Sequence, residues 1–234
     1  MDESKYLTQS PLLLEIKNLH HGFSHIDLPP KERNFLQART ATVHQVHHNT
    51  IEWTDHLRKA RAPADAVGTA TPGLPVGVYT ADCAPILLVS MSNGKALGVM
   101  AVHAGWRGTA LGIANKAIEA LWKKAPGSEL FAAIGPSISQ AAFEVGEEVI
   151  AAFPESEVLG LARFLRQEGH RKKYLFDLPG ENARQIKAAA ARLKIPVQID
   201  LLAECTFHRG DLYPSFRRDK EAAGRMLSFV ELVP

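Results

Sequence analysis

The sequence predicts an α/β fold, a mixed β-sheet core with flanking helices. Three observations lead there. Residues 76–81 with 85–91, and then 96–102, are apolar runs rich in the Val, Ile and Leu that suit strands. Ser92-Asn93-Gly94 between them is turn chemistry, so the two runs should pair as a hairpin. Towards the C-terminus strand-like and helix-like segments alternate, with no repeat, low-complexity tract or long linker. The expectation is one domain over residues 1–234.

In chain order, residues 1–19 are weakly patterned, and Leu12-Leu13-Leu14 reads as an edge strand. Residues 40–47 alternate as a strand, which puts His44 and His48 on one face and His47 on the other. Pro63-Ala64-Asp65-Ala66 leads into a Thr71-Pro72-Gly73 loop. Leu111, Ala114, Ile118, Leu121 and Trp122 have helical spacing, which predicts a helix over 109–124 with Thr109 as N-cap and Pro126-Gly127 as stop. A strand is expected at 130–134, and amphipathic helices at 141–153 and 158–167. Residues 174–178 read as a strand and the Ala-rich 181–193 as a helix closed before Pro196. Strands at 197–202 and 226–232 complete the chain.

Composition narrows the function classes. A chain of 234 residues with 46% apolar and 22% charged residues is ordinary for a soluble protein. A formal charge of +2 gives no electrostatic footprint for nucleic acid. No apolar run approaches the ~20 residues that cross a bilayer. The opening MDESKYLTQS is acidic and polar, unlike a signal peptide, so the expected location is the cytoplasm. There a disulfide between the two cysteines, Cys83 and Cys205, is not expected.

The chemistry gathers around the hairpin. Asp82-Cys83 interrupts its first run and His103 ends its second, so a thiol and an imidazole should meet at the sheet rim. Cys83 and His103 suit either a metal site or a nucleophile–base pair. His44, His47 and His48 offer a third donor, and periodicity alone leaves the choice open. Asp82 beside the thiol could orient an imidazole; Asp65 could be a site carboxylate or only a turn residue. Arg107, in Gly105-Trp106-Arg107-Gly108 before the expected helix, suits an anion, and Trp106 could stack on a base. Arg217-Arg218 forms a second basic pair. Cys205 beside Leu201 and Leu202 reads as a packed thiol.

Those same stretches carry a resemblance. TADCAPILL followed by AVHAGWRG is similar to the family once called multicopper polyphenol oxidases, now associated with zinc-dependent purine nucleoside phosphorylase and adenosine deaminase activity. HQVH, PADA, IGPSIS, FEVGEEV, ECTF, SFRRD and GRMLSF follow in the family's order, so the similarity runs from about His21 to Leu232. It departs after HHGFS: HIDLPPKERNFLQAR is shorter than the family's segment and lacks its Gly-Gly turn, and His48 replaces the Gly that usually follows HQVH.

The resemblance implies a fold similar to Cys–His hydrolases. It selects His47, with Cys83 and His103, as ligands of Zn2+ rather than copper, and leaves an open position for water. It casts Cys83, His103 and Asp82 as catalytic and Arg107, Asp65, Trp106 and Arg217 as substrate-binding. The implied partners are a small nucleoside (adenosine, inosine or methylthioadenosine) and phosphate. The reactions are phosphorolysis to base plus sugar 1-phosphate, and deamination of adenosine. The alternative is a metal-free cysteine hydrolase or amidase acting on a cell-wall precursor, with Cys83 as nucleophile and His103 as base. Polyphenol oxidation by several coppers fits poorly, because the ten histidines include no His-x-His pair.

Overall fold

The computed structural model describes residues 3–57 and 61–234; Met1 and Asp2, within the weakly patterned opening, lie outside them. The fold is mixed α/β. At its centre Ala84–Ser92 and Lys95–Ala104 form the expected hairpin, in register from Ala84↔Ala104 to Ser92↔Lys95. Asn93 and Gly94 at its tip have φ of 51° and 71°, the two positive angles that a type I′ turn requires. The hairpin sits inside a six-stranded sheet in the order Val197–Leu201, Glu129–Ile134, Ala84–Ser92, Lys95–Ala104, Ala66–Thr69, Ile51–Trp53.

Both faces of this hairpin are covered, which explains its near-continuous apolar sequence. Ile86, Leu88, Met100 and Val102 pack towards the helices Ile113–Lys124 and Leu178–Leu193. Leu87, Val89, Val99 and Ala101 pack against a second sheet. That sheet has five strands in the order Leu7–Thr8, Leu19–Ser24, Met226–Leu232, Val76–Thr80, Ala41–Thr42. Each fully buried Leu or Val contributes about 1.5–3 kcal/mol of burial free energy, so the two faces together fix the hairpin's register.

The interrupted run 76–91 is thus two strands in two sheets. Asp82, at φ 82°, turns the chain from one to the other. Aspartate is among the few residues besides glycine that visit this region.

Elsewhere the sequence expectations are corrected. Leu12-Leu13-Leu14 lies in a helical turn, Pro11–Leu14, capped by the Ser10 hydroxyl and started by proline. The expected strand 40–47 shrinks to Ala41–Thr42 and an isolated bridge between His44 and Pro63, because the N–H groups of Val46, His47 and His48 bond to a carboxylate instead. Thr109 is no cap: Trp106–Ala110 is already helical, and the chain restarts at Ile113–Lys124 after Gly112 at φ 75°. The helix expected at 181 begins at Leu178, where the Asp177 side chain accepts from Gly180 N–H at 3.0 Å. The stretch 141–153 holds a short strand, Glu144–Gly146, and one turn, Glu147–Ile150. Residues 158–167 are no helix, since Ala162–Glu168 pairs with Arg171–Phe176 around Gly169. No helix among the described residues is long and apolar enough to cross a membrane.

Candidate metal centre and cavity

The two sheets deliver three donors to one point. His103 ends its strand and is 3% exposed, Cys83 follows the Asp82 bend, and His47 sits on the loop after the short strand Ala41–Thr42. One ligand atom from each lies within 4.8 Å of the other two. The His47 and His103 rings meet edge to face, their centroids 4.7 Å apart. Gly105 closes the cluster from below: a Cβ there would lie 3.0 Å from Cys83 Sγ and 3.4 Å from His47 Cδ2. The space at the donors therefore depends on a missing side chain.

Asp65 holds this arrangement from behind. Fully buried, it accepts from His103 Nδ1 at 2.8 Å and from the backbone N–H groups of Val46, His47 and His48 at 3.3, 2.9 and 2.7 Å. The first bond fixes the tautomer and leaves His103 Nε2 as the donor for the cluster. The other three wrap the loop around the carboxylate, and His47 takes φ 56° to comply. The positive angle is at His47 itself, which is how His48 can occupy the position after it. Burial would push the Asp65 carboxyl up, but His103 and the N–H groups of His48 and His47 outweigh it and hold it below the usual range.

Charge in the cluster is polarised. Burial would raise the Cys83 thiol, but the charge and hydrogen bonds of His103 and then His47 bring it from 9.0 down to about 6. Burial would lower His103, but Cys83 and Asp65 raise it to about 9. The two shifts run in opposite directions and favour a thiolate beside an imidazolium. A cation held by His47, Cys83 and His103 would take the place of the imidazolium proton. One thiolate, two imidazoles and a carboxylate behind one of them fit a soft divalent or copper(I) ion.

Asp82 does not orient an imidazole, as the sequence suggested; Asp65 does. The Asp82 carboxylate accepts from Thr206 Oγ1 at 2.7 Å and from Arg217 N–H at 2.6 Å, which ties the C-terminal loop to the bend. Asp65 in turn lies behind the histidines and away from the cavity wall, because its oxygens are spent on the ring and the loop.

The three donors open into a cavity of about 520 Å³. Trp106, Phe143 and Phe216 give it aromatic walls, and Arg61, Arg217 and Arg225 a basic one. Arg217 is held by the Glu144 carbonyl at 2.8 Å and lies over the Phe143 ring, 5.4 Å from its centroid. Arg107 is not in this wall. It is exposed and rests on Trp106, 4.4 Å from the ring centroid, because residue 107 already belongs to a helical turn that aims it outward. His44 lines the cavity without joining the donor group, and His48 is exposed. Cys205 accepts from Ser139 Oγ at 3.1 Å, and both cysteines are free.

The residues missed by sequence reasoning are Phe143, Thr206, Phe216, Arg225 and Arg61. The first four lie inside FEVGEEV, ECTF, SFRRD and GRMLSF, so the motif order carried a signal for them; Arg61 had none.

Fold and site together define an α/β protein with a His-Cys-His group, able to hold a metal, at the mouth of an aromatic and basic cavity. The chain belongs to the multi-copper polyphenol oxidoreductase laccase family, whose model matches residues 30–233. It is 34% identical over 198 residues to purine nucleoside phosphorylase YfiH of Shigella flexneri, covering 85% of this chain and 76% of that protein. It is 43% identical over 104 residues to adenosine deaminase RL5 of an unknown prokaryotic organism, covering 44% of this chain and 38% of that one. The Neisseria meningitidis protein NMB0706 has the same fold, with TM-score 0.81, 26% identity and coverage of 98% of this chain and 100% of that one. YlmD from Geobacillus stearothermophilus matches with TM-score 0.80 and 24% identity over 100% of this chain and 98% of that one.

Proposed function

We propose that this chain is a zinc-dependent purine nucleoside phosphorylase that also deaminates adenosine. The observation that carries the reading is the His47, Cys83 and His103 group opening into a cavity with aromatic and guanidinium walls. The names of the relatives support it. A volume of about 520 Å³ suits a nucleoside, and pockets of roughly 300–1,000 Å³ are usual for such ligands.

His47, Cys83 and His103 would hold the zinc, which when bound would supply Lewis acidity in the cavity wall. Trp106 and Phe143 line the cavity, where a purine would pack against them. Arg217, whose place is set by Asp82 and the Glu144 carbonyl, holds and aims the phosphate by charge-assisted hydrogen bonds. In phosphorolysis a phosphate oxygen bonds to the sugar C1′ as the bond to the base nitrogen breaks, and that electron pair leaves with the base. The cavity takes adenosine, inosine and methylthioadenosine as candidates.

Metal analysis of protein purified without added metal, paired with a product assay on adenosine plus phosphate, tests this. About one zinc per chain and phosphate-dependent release of adenine are expected. Zinc-loaded protein that releases no base from any of the three nucleosides would sink the proposal.

One observation favours a second reading. The Cys83–His103–Asp65 alignment, with the thiol lowered to about 6, is also the layout of a cysteine hydrolase acting on an amide such as a cell-wall precursor. Amide hydrolysis that survives complete chelation would select it.

A further inference from the structure

A second cavity, of about 420 Å³, shares Arg225 with the first and is lined by His25, Arg33, Pro214, Arg218 and Asp219 among others. Its charges do not cancel. Arg218 spends its donors on Asp219, at 2.8 and 2.7 Å, and on the carbonyls of Thr206, Phe207 and Tyr213. That pairing neutralises Asp219.

Arg33 and Arg225 differ. One terminal nitrogen of Arg33 donates to the carbonyls of Ile26 and Leu28, and one of Arg225 to those of Ala223 and Gly224. Among the described residues neither guanidinium forms an ion pair with a carboxylate. A guanidinium carries five N–H bonds, so each keeps donors to spare while its plane is pinned to the backbone. Such prepositioned, uncompensated forks match the oxygens of a phosphate.

Beneath them, the His25 side chain is 10% exposed; its Nδ1 has no hydrogen-bond partner and is itself closed off from solvent, so only the rest of the ring borders the cavity. The Asp27 carboxylate stands 4.0 Å away and the Lys5 carbonyl also draws on the ring. His25 Nε2 meets Thr8 Oγ1 at 2.9 Å, and Thr8 Oγ1 meets the buried Tyr213 hydroxyl at 2.5 Å. If Tyr213 donates to Thr8 and Thr8 to His25, every hydroxyl hydrogen is used, and Nδ1 carries the ring hydrogen on the side of the Asp27 carboxylate. The reverse order strands the Tyr213 hydrogen with no acceptor.

We propose that this cavity binds a phosphate monoester, the phosphate on the Arg33 and Arg225 guanidinium groups above His25 and its carbon skeleton against Pro214 and Ile26. The site includes none of the His-Cys-His donors, shares only Arg225 with the larger cavity, and needs no metal.

The test is titration of the full chain, labelled at the histidine ring nitrogens, with inorganic phosphate and with ribose 5-phosphate, following the His25 resonances. Both probes should shift them saturably, with ribose 5-phosphate the tighter. Arg33→Gln should weaken both about tenfold or more, the usual size of a lost charge-assisted contact. Arg33→Lys, which keeps the charge without the fork, should fall between. Arg217→Gln, in the other cavity, should leave the His25 titration unchanged and so separates this site from the nucleoside pocket. Still His25 signals with both probes, or wild-type affinity in Arg33→Gln, would overturn the site. Equal affinity for the two probes would overturn the skeleton contacts.

Discussion

Asp65 and Asp82 flank one cluster and fasten different halves of it. Asp65 is closed off from solvent and spends its charge on a histidine ring and three successive N–H groups. Asp82 borders the cavity and spends its charge on Thr206 and Arg217, far along the chain. One carboxylate fixes the donor atoms and the other fixes the wall facing a ligand. On the proposed function, two residues of one type would thus separate the holding of a metal from the holding of a ligand.

The largest effect should come from Asp65→Asn. An amide cannot match the carboxylate's charge and presents an N–H to groups that already donate. Loss of such a partner behind a metal-bound histidine typically costs 10–100-fold in metal affinity, and competition with a chromogenic chelator measures it. Breaking a buried charged pair also costs about 3–5 kcal/mol, so the melting temperature should drop. Wild-type metal affinity in this variant would remove the distinction between the two carboxylates.

Gly105→Ala tests the donor half from its other side. Its Cβ would crowd Cys83 Sγ at 3.0 Å, and zinc affinity should fall about tenfold, at the lower end of that range. Unchanged affinity would mean that the cradle has slack.

Asp82→Asn should act on the opposite half. Asparagine tolerates the φ of 82° but gives Arg217 and Thr206 a weaker acceptor. Zinc content should stay at the wild-type level while KM for nucleoside and phosphate rises about tenfold, one charge-assisted bond's worth. Loss of zinc together with KM would merge the two halves. Arg107→Ala should do least, within about twofold in both activities, as an exposed position implies. A selective collapse of phosphorolysis would restore Arg107 to phosphate binding.

What was legible in the sequence was local. The hairpin announces itself because both its faces are buried and Asn93-Gly94 supplies the two positive φ angles of its tip. Cys83 and His103 follow from it, since Pro85 pairs with His103 in the ladder. The 40–47 stretch misleads because its alternation is real, while a carboxylate 18 positions away from His47 claims the N–H groups that a neighbouring strand would need. Residues 158–167 mislead for a different reason. Spaced apolar residues there belong to a strand whose residues from Arg163 to Glu168 are all exposed, so neither period is enforced by a core. The exchange of roles between Asp65 and Asp82 depends on contacts across 38 and 135 positions, and no spacing rule reaches that far.

The Asp82 bend also bears on how the chain is made. The three donors, Asp65 and the groups bonded to it lie between Val46 and Gly105, whereas the strand before the bend, Val76–Thr80, pairs with Met226–Leu232 near the C-terminus. On a ribosome the first set is complete while more than half the chain is unsynthesised. Loop closure over short spans is fast and its entropic cost rises with length. Nascent chains truncated after the helix Ile113–Lys124 are therefore the place to look for an early, metal-competent intermediate that cannot yet recognise a ligand.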